Sequence, residues 1–190
     1  MTTTIAPLAK KDASLFVRIF YRLVRRRLGR VPAPMQVTAH NKRVLTAYGL
    51  FEAAMTGGTV LAPRHQALAN LRTAMLVGCR FCVDIGSAHA TSAGLSRAEL
   101  EALVAPEACE LFDAVDKDVL LLVASMTATP AAIEPALVQR LEAAFGKKAL
   151  VELVAVIAWE NYRARFNHAF GATEEGFSES MCMIPNAIHA

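Results

Sequence analysis

Strand signals are nearly absent from this chain. Few runs alternate apolar with polar residues, and neither Asn-Gly nor Asp-Gly occurs, so the strongest hairpin signature is missing. Charge is scarce as well: Asp, Glu, Lys and Arg make up 19% of 190 residues, against 54% hydrophobic ones. Such a surplus of apolar side chains calls for a subunit interface in addition to a core. Nothing approaches the roughly 18 to 20 uninterrupted apolar residues of a membrane span. The best stretches, 119–126 and 149–159, are shorter, and Glu152 interrupts the second. They read as buried helices. Residues 1–13 lack an apolar core followed by a cleavage site, so no signal peptide is expected, and the cytoplasm is the expected location. A net charge of +3 is too mild to imply nucleic acid. Four cysteines with one close pair do not make a disulfide scaffold.

What is present is helix punctuation. Residues 14–28 place Leu15, Phe16, Ile19, Phe20, Leu23 and Val24 on one broad stripe, with Arg18, Arg22 and Arg25 on the other side. Gly29, Pro32 and Pro34 stop that helix. A second covers 41–55, closed by 56–58, and a third opens at Pro63 and runs to Gly78. A helix following the cysteine pair ends at Gly94, and Ser96 with Glu99 forms a capping box for a short next one. Residues 111–127 give another, cut off by Pro130. Pro135 opens a helix reaching Phe145, with Gly146 after it, and 147–170 gives the last, closed at Gly171. The tail, 172–190, reads as loop. No repeat and no linker divides the chain, so one all-α domain over 1–190 is expected, with 1–40 as an N-terminal helical lead-in.

Cys79-Arg80-Phe81-Cys82 carries the most chemistry. Two thiols three positions apart can close a disulfide or hold a metal, and inside a reducing compartment such a pair is more often redox-active or metal-binding than structural. Zinc would need two more ligands, and no second C-x-x-C or H-x-x-x-H supplies them. At a helix N-terminus a thiol meets unsatisfied N–H groups and the positive dipole end, which favours thiolate, most of all at Cys79. Arg80 adds to that effect and Asp84 opposes it.

The run LRTAMLVGCRFCVDIGSAHATSAGLS resembles the core motif of the carboxymuconolactone decarboxylase and alkylhydroperoxidase D-like (AhpD-like) family. ENYRARFNHAFG, residues 160–171, resembles a helix found late in that family's chains, and GRVPAPMQVTAHNKRVLTAYGLFEAAM resembles its helical lead-in. The resemblance implies an all-α AhpD-like helical bundle that assembles as a trimer, hexamer or dimer. For members with both cysteines it also implies thiol-dependent reduction of hydroperoxides, with Cys82 attacked by peroxide and Cys79 resolving. Members that decarboxylate the muconolactone generally lack the pair. The peroxidases also carry a glutamate twelve positions before the first cysteine and a histidine four after the second. Ala67 and Gly86 stand there in this chain. His89 faces the same way as Cys82 but sits about 10 Å further along the helix, too far for a direct bond.

Glu160 and His168 are therefore the candidate catalytic replacements for that relay beside Cys79 and Cys82, with Arg165 and Asn161 as candidate substrate-binding residues. Asn161, Arg165 and His168 share one face at i, i+4 and i+7, and Glu160 borders it. Against this stands the plainer reading of ion pairs, caps or subunit contacts. His40 and His65 read as surface or satisfied histidines, and Cys109 and Cys182 as packing cysteines. The basic run 25–27, with Arg30 close behind, reads as a solvated face, with binding to an anionic membrane surface or nucleic acid as the lesser alternative.

The expected activity is reduction of a peroxide or disulfide substrate with electrons from a thiol reductant protein. No cofactor, metal, nucleic acid or membrane is expected as a partner. Two alternatives stand beside it. One is a lyase or isomerase acting on a small lactone or carboxylic acid through Arg165, His168 and Glu160. The other is a non-catalytic oligomeric stress protein.

Overall fold

A computed structural model describes residues 3–56 and 59–178; among them are eight α-helices and no strand. They are α1 Leu15–Leu28, α2 Ala33–Thr38, α3 Lys42–Thr56, α4 Pro63–Val77, α5 Arg80–Ser92, α6 Arg97–Ala102, α7 Ala114–Thr127 and α8 Pro135–Ala169, with a 3₁₀ turn at Pro106–Ala108. No helix among the described residues is long and apolar enough to cross a membrane.

Most boundaries follow the local signals. Pro63 and Pro135 occupy first-turn positions, where a missing N–H leaves nothing unpaired. Ser96 accepts from the N–H of Glu99 while the Glu99 carboxylate accepts from the N–H of Ser96, so the capping box forms as read. Asp113 caps α7 through the N–H of Asp116, which starts that helix at Ala114 rather than at 111. α1 stops at Leu28 as read, with Gly29 in the left-handed conformation, and Pro34 lies in the first turn of the short α2, a position proline tolerates. Gly146 has φ +74° and ψ 164°, so α8 is two helical segments meeting at a break that only glycine adopts easily.

α4 is the central helix, packing against α5, α7 and α8. One apolar cluster joins Leu68, Leu71 and Met75 of α4 to Phe81, Cys82 and Val83 of α5 and Ala164 of α8. A second joins α7 and α8 through Val119, Leu122, Leu141, Leu153 and Ile157. Each such leucine contributes about 1.5–3 kcal/mol by leaving water. A third, smaller cluster seats α1 on the N-terminal segment and α3 through Val17, Tyr21 and Leu45.

That third cluster corrects the reading of α1. Val17 and Tyr21 face the core, whereas Leu15, Ile19 and Leu23 of the expected core stripe are 76%, 48% and 57% exposed. The apolar residues of α1 exceed one face, and the larger aliphatic ones point outward.

Candidate functional site

The site is built on the joint between α4 and α5. Gly78, at φ +77°, closes α4 in the left-handed conformation, its N–H returning to Ala74 and Met75. The next residue, Cys79, already caps α5, so the chain reverses within two positions. Cys79 Sγ accepts from the N–H of Cys82 at 3.2 Å, and its carbonyl accepts from Val83 at 2.9 Å.

Cys79 and Cys82 are joined in a disulfide, Cα to Cα 5.2 Å apart. Where the sequence suggested a thiolate at the helix mouth, the structure has the oxidised pair, buried at 1% and 5% exposure. Its one side-chain hydrogen bond among the described residues comes from α8: Asn167 Nδ2 donates to Cys82 Sγ at 3.3 Å. Sequence reasoning missed Asn167. The only signal for it was its spacing, since Glu160, Ala164 and Asn167 form an i, i+4, i+7 face and all three are buried.

The two charged neighbours of the pair are spoken for. Arg80 makes an ion pair with Glu174. Asp84 is wholly buried and accepts from the backbone N–H groups of Glu175 (2.8 Å), Phe177 (2.9 Å) and Ser178 (2.9 Å). These contacts strap residues 174–178 across the first turns of α5. Phe177 meets the edge of Phe81, with ring centroids 6.1 Å apart, and the Arg30 guanidinium sits 4.0 Å over its ring. Glu175 also caps α2 through Ala33 N–H at 2.7 Å. Burial pushes its carboxyl above the usual range, against the opposing pull of that N–H and of Arg30.

The other sequence candidates lie on two faces of α8. Glu160 is buried and pairs with Arg163, which also binds Glu52 at 2.6 Å; Trp159 Nε1 donates to Glu52 at 2.7 Å. One cation serving two carboxylates leaves the more buried one undercompensated. Desolvation therefore raises the Glu160 pKa despite Arg163, and Glu52 adds to the rise. His89 of α5 faces the same group. Desolvation, then Arg163 and Arg27, hold its imidazole below the ordinary range.

Asn161 and Arg165 turn towards the end of α7. Asn161 donates to Thr127 Oγ1 at 3.1 Å, and Arg165 donates to Asn161 and to the Thr127 carbonyl at 3.1 Å. His168 is exposed. Among the described residues, none of Glu160, Asn161, Arg165 and His168 has a hydrogen bond to either sulfur.

Ala67 and Gly86 stand at the two relay positions. A Cβ on Gly86 would meet Leu71 Cδ1 at 3.4 Å and its Cα at 3.8 Å, which is van der Waals contact, so α4 and α5 pack closely at this position. Ala67 is buried on the same helix as Leu71, one turn earlier. His65 lies 3.4 Å from Asp116 and packs tilted against Phe145, ring centroids 4.8 Å apart, while His40 meets the Ala6 carbonyl at 2.9 Å. Cys109 is free and half-buried; Cys182 lies outside the described residues. No three His, Cys, Asp or Glu side chains gather as metal ligands among the described residues.

Residues 42–124, which hold α3, α4 and the cysteine helix, match the model of the carboxymuconolactone decarboxylase family. The chain belongs to that family. Protein YnjA of Escherichia coli (strain K12) is 34% identical over 125 residues, which span 66% of this chain and 66% of that one. Among solved structures, the debrominase Bmp8 superposes with a TM-score of 0.81 at 18% identity, covering 97% of this chain and 98% of that one. A cysteine-to-alanine variant of Bmp8 has also been solved with 2,3,4-tribromopyrrole. A peroxidase-related protein with an AhpD core from Ralstonia eutropha JMP134 gives 0.81 at 14% identity, covering 97% and 96%. At these identities the likeness is one of fold: the family's helical bundle.

Proposed function

We propose that this family member is a thiol-dependent oxidoreductase that reduces hydroperoxides through Cys79 and Cys82. The observation that carries the reading is the Cys79–Cys82 disulfide at the start of α5, with Asn167 bonded to Cys82 Sγ. A pair already within bonding distance changes oxidation state with little backbone movement.

In the reduced enzyme the Cys82 thiolate attacks the hydroperoxide, and the O–O bond breaks. Alcohol leaves after taking one proton, and Cys82 becomes a sulfenic acid. The Cys79 thiol then attacks that sulfur, water departs, and the disulfide re-forms. A dithiol reductant protein returns the two electrons and two protons. The Asn167 amide stabilises negative charge on Cys82, and the N-terminal end of α5 does so for both sulfurs. His168 remains a proposed proton carrier and Asn161 and Arg165 the proposed substrate contacts, reached through solvent or a partner subunit; Glu160, the other proposed proton carrier, is buried and held by Arg163. Exposed Leu121 on α7 and Val151 and Val154 on α8 supply apolar surface for a homo-oligomer.

The test is hydroperoxide consumption with a dithiol donor by wild type, Cys82→Ser and Cys79→Ser. Wild type should turn over. Cys79→Ser should stop after one equivalent with a trappable sulfenic acid, and Cys82→Ser should be inert. Equal rates in all three would end the proposal. The same assay with 2,3,4-tribromopyrrole distinguishes the substrate class that Bmp8's debrominase activity suggests.

A further inference from the structure

We infer that α1 is a docking face for an anionic phospholipid bilayer. The first 30 residues hold eight of the chain's 20 Lys and Arg but only one of its 17 Asp and Glu, although the whole chain carries just +3. The positive charge is thus concentrated at one end of the molecule, while the remainder is net acidic. α1 itself has five arginines and no acidic residue.

The apolar half of the argument comes from exposure. Leu15, Ile19 and Leu23 repeat at i, i+4 and i+8 and are 76%, 48% and 57% exposed, with Phe16 beside them at 47%. On a helical wheel this stripe is bordered on one side by Arg18, Arg22 and Arg25 and ended by Arg26 and Arg27. Arg18 is clasped to the carbonyls of Lys10, Lys11 and Ala13, which draws the preceding loop against the helix. Among the described residues none pairs with Arg22, Arg25 or Arg26. A groove of about 650 Å³ beside α1 is lined by Leu15, Ile19 and Val31 together with Lys10, Arg22 and Arg25.

An outward apolar stripe flanked by unpaired arginines is the pattern of a helix lying in a membrane interface: leucines enter the acyl boundary and guanidinium groups meet phosphates. A second copy of this chain fits the same face less well. Two-fold pairing through the stripe would set Arg22 and Arg26 against their own copies, with no carboxylate on α1 to compensate.

The experiment is co-sedimentation of the full chain with vesicles of phosphatidylglycerol plus phosphatidylcholine, and with phosphatidylcholine alone. Binding should require the anionic lipid and weaken as salt shortens the Debye length. Arg22→Glu with Arg25→Glu should weaken it by at least about thirtyfold, at roughly fivefold for each basic residue removed. Leu15→Asp with Ile19→Asp, both at exposed sites, should abolish it while leaving thermal unfolding unchanged. Lys147→Glu with Lys148→Glu, on exposed α8 positions, makes the same change in net charge and should bind as wild type does. Binding lost equally in the α8 variant would reduce the effect to net charge and overturn the inference. So would indifference to lipid charge. So too would a sedimentation-velocity dimer that Leu15→Asp dissociates in the absence of any vesicle binding.

Discussion

Asn167 donates its side-chain amide to the sulfur of Cys82 at 3.3 Å, joining residues 85 positions apart. Of the polar groups on α8, it is the one hydrogen-bonded to the Cys79–Cys82 disulfide. A hydrogen bond to a charged acceptor is worth about 1.5–3 kcal/mol, or about one to two pKa units. In reduced Asn167→Leu, alkylation of Cys82 should shift to higher pH by that amount, with hydroperoxide turnover falling in step. An unchanged alkylation profile would remove Asn167 from the site.

Asp84 determines whether 174–178 stays on α5, because its carboxylate receives three backbone N–H groups. Asp84→Ala leaves those donors without their acceptor and should cost about 3 kcal/mol. Amide exchange at 175, 177 and 178 should accelerate far more than in α4 or α7. Uniform acceleration across the chain would indicate global loosening instead of a released strap.

Gly86 faces Leu71 across the α4–α5 contact. Gly86→His places its Cβ 3.4 Å from Leu71 Cδ1, and the ring added beyond it should destabilise the protein by about 1–3 kcal/mol. Adding Leu71→Ala should recover part of that loss by opening space, even though Leu71→Ala alone is destabilising. Urea denaturation of the two single variants and the double variant reads the coupling directly.

Glu160 gives a pH dependence of one sign. Burial raises its pKa above the ordinary 4.5, so the folded protein binds a proton that the unfolded chain has released. Stability contributed by this residue therefore falls as pH rises from 4.5 through its higher folded value. Glu160→Gln should flatten that slope in urea midpoints measured across the range. A slope identical to wild type would show the carboxyl to be ionised throughout.

Glu99 gives the opposite sign. Burial alone would raise its pKa, but the Ser96 hydroxyl and N–H, aided by Arg64, outweigh it and hold the group below 4.5. Its contribution is present above pH 4.5 and is lost as pH falls through the folded value. Ser96→Ala should cost about 1 kcal/mol at neutral pH, and less in acid, where the box is already broken.

The sequence by itself determined the all-α architecture and most helix ends, because caps and breaks are local chemistry: Ser96 with Glu99, Pro63, Pro135, and Gly78 after α4 each act within one turn. It also marked Cys79 and Cys82, whose spacing brings two sulfurs together on any helix start. Tertiary packing decided the rest. Periodicity defines faces on α8 but not which face meets α5, and the rotation of α8 put Asn167 at Cys82 while His168 faces solvent. The strap at 174–178 has no sequence signature, since it is held largely by backbone N–H groups that every residue except proline carries. The outward aliphatic stripe of α1 was hidden for a related reason. A helix with apolar residues around most of its circumference does not announce which of them a small third cluster will cover, and only the docking of Val17 and Tyr21 left Leu15, Ile19 and Leu23 outside.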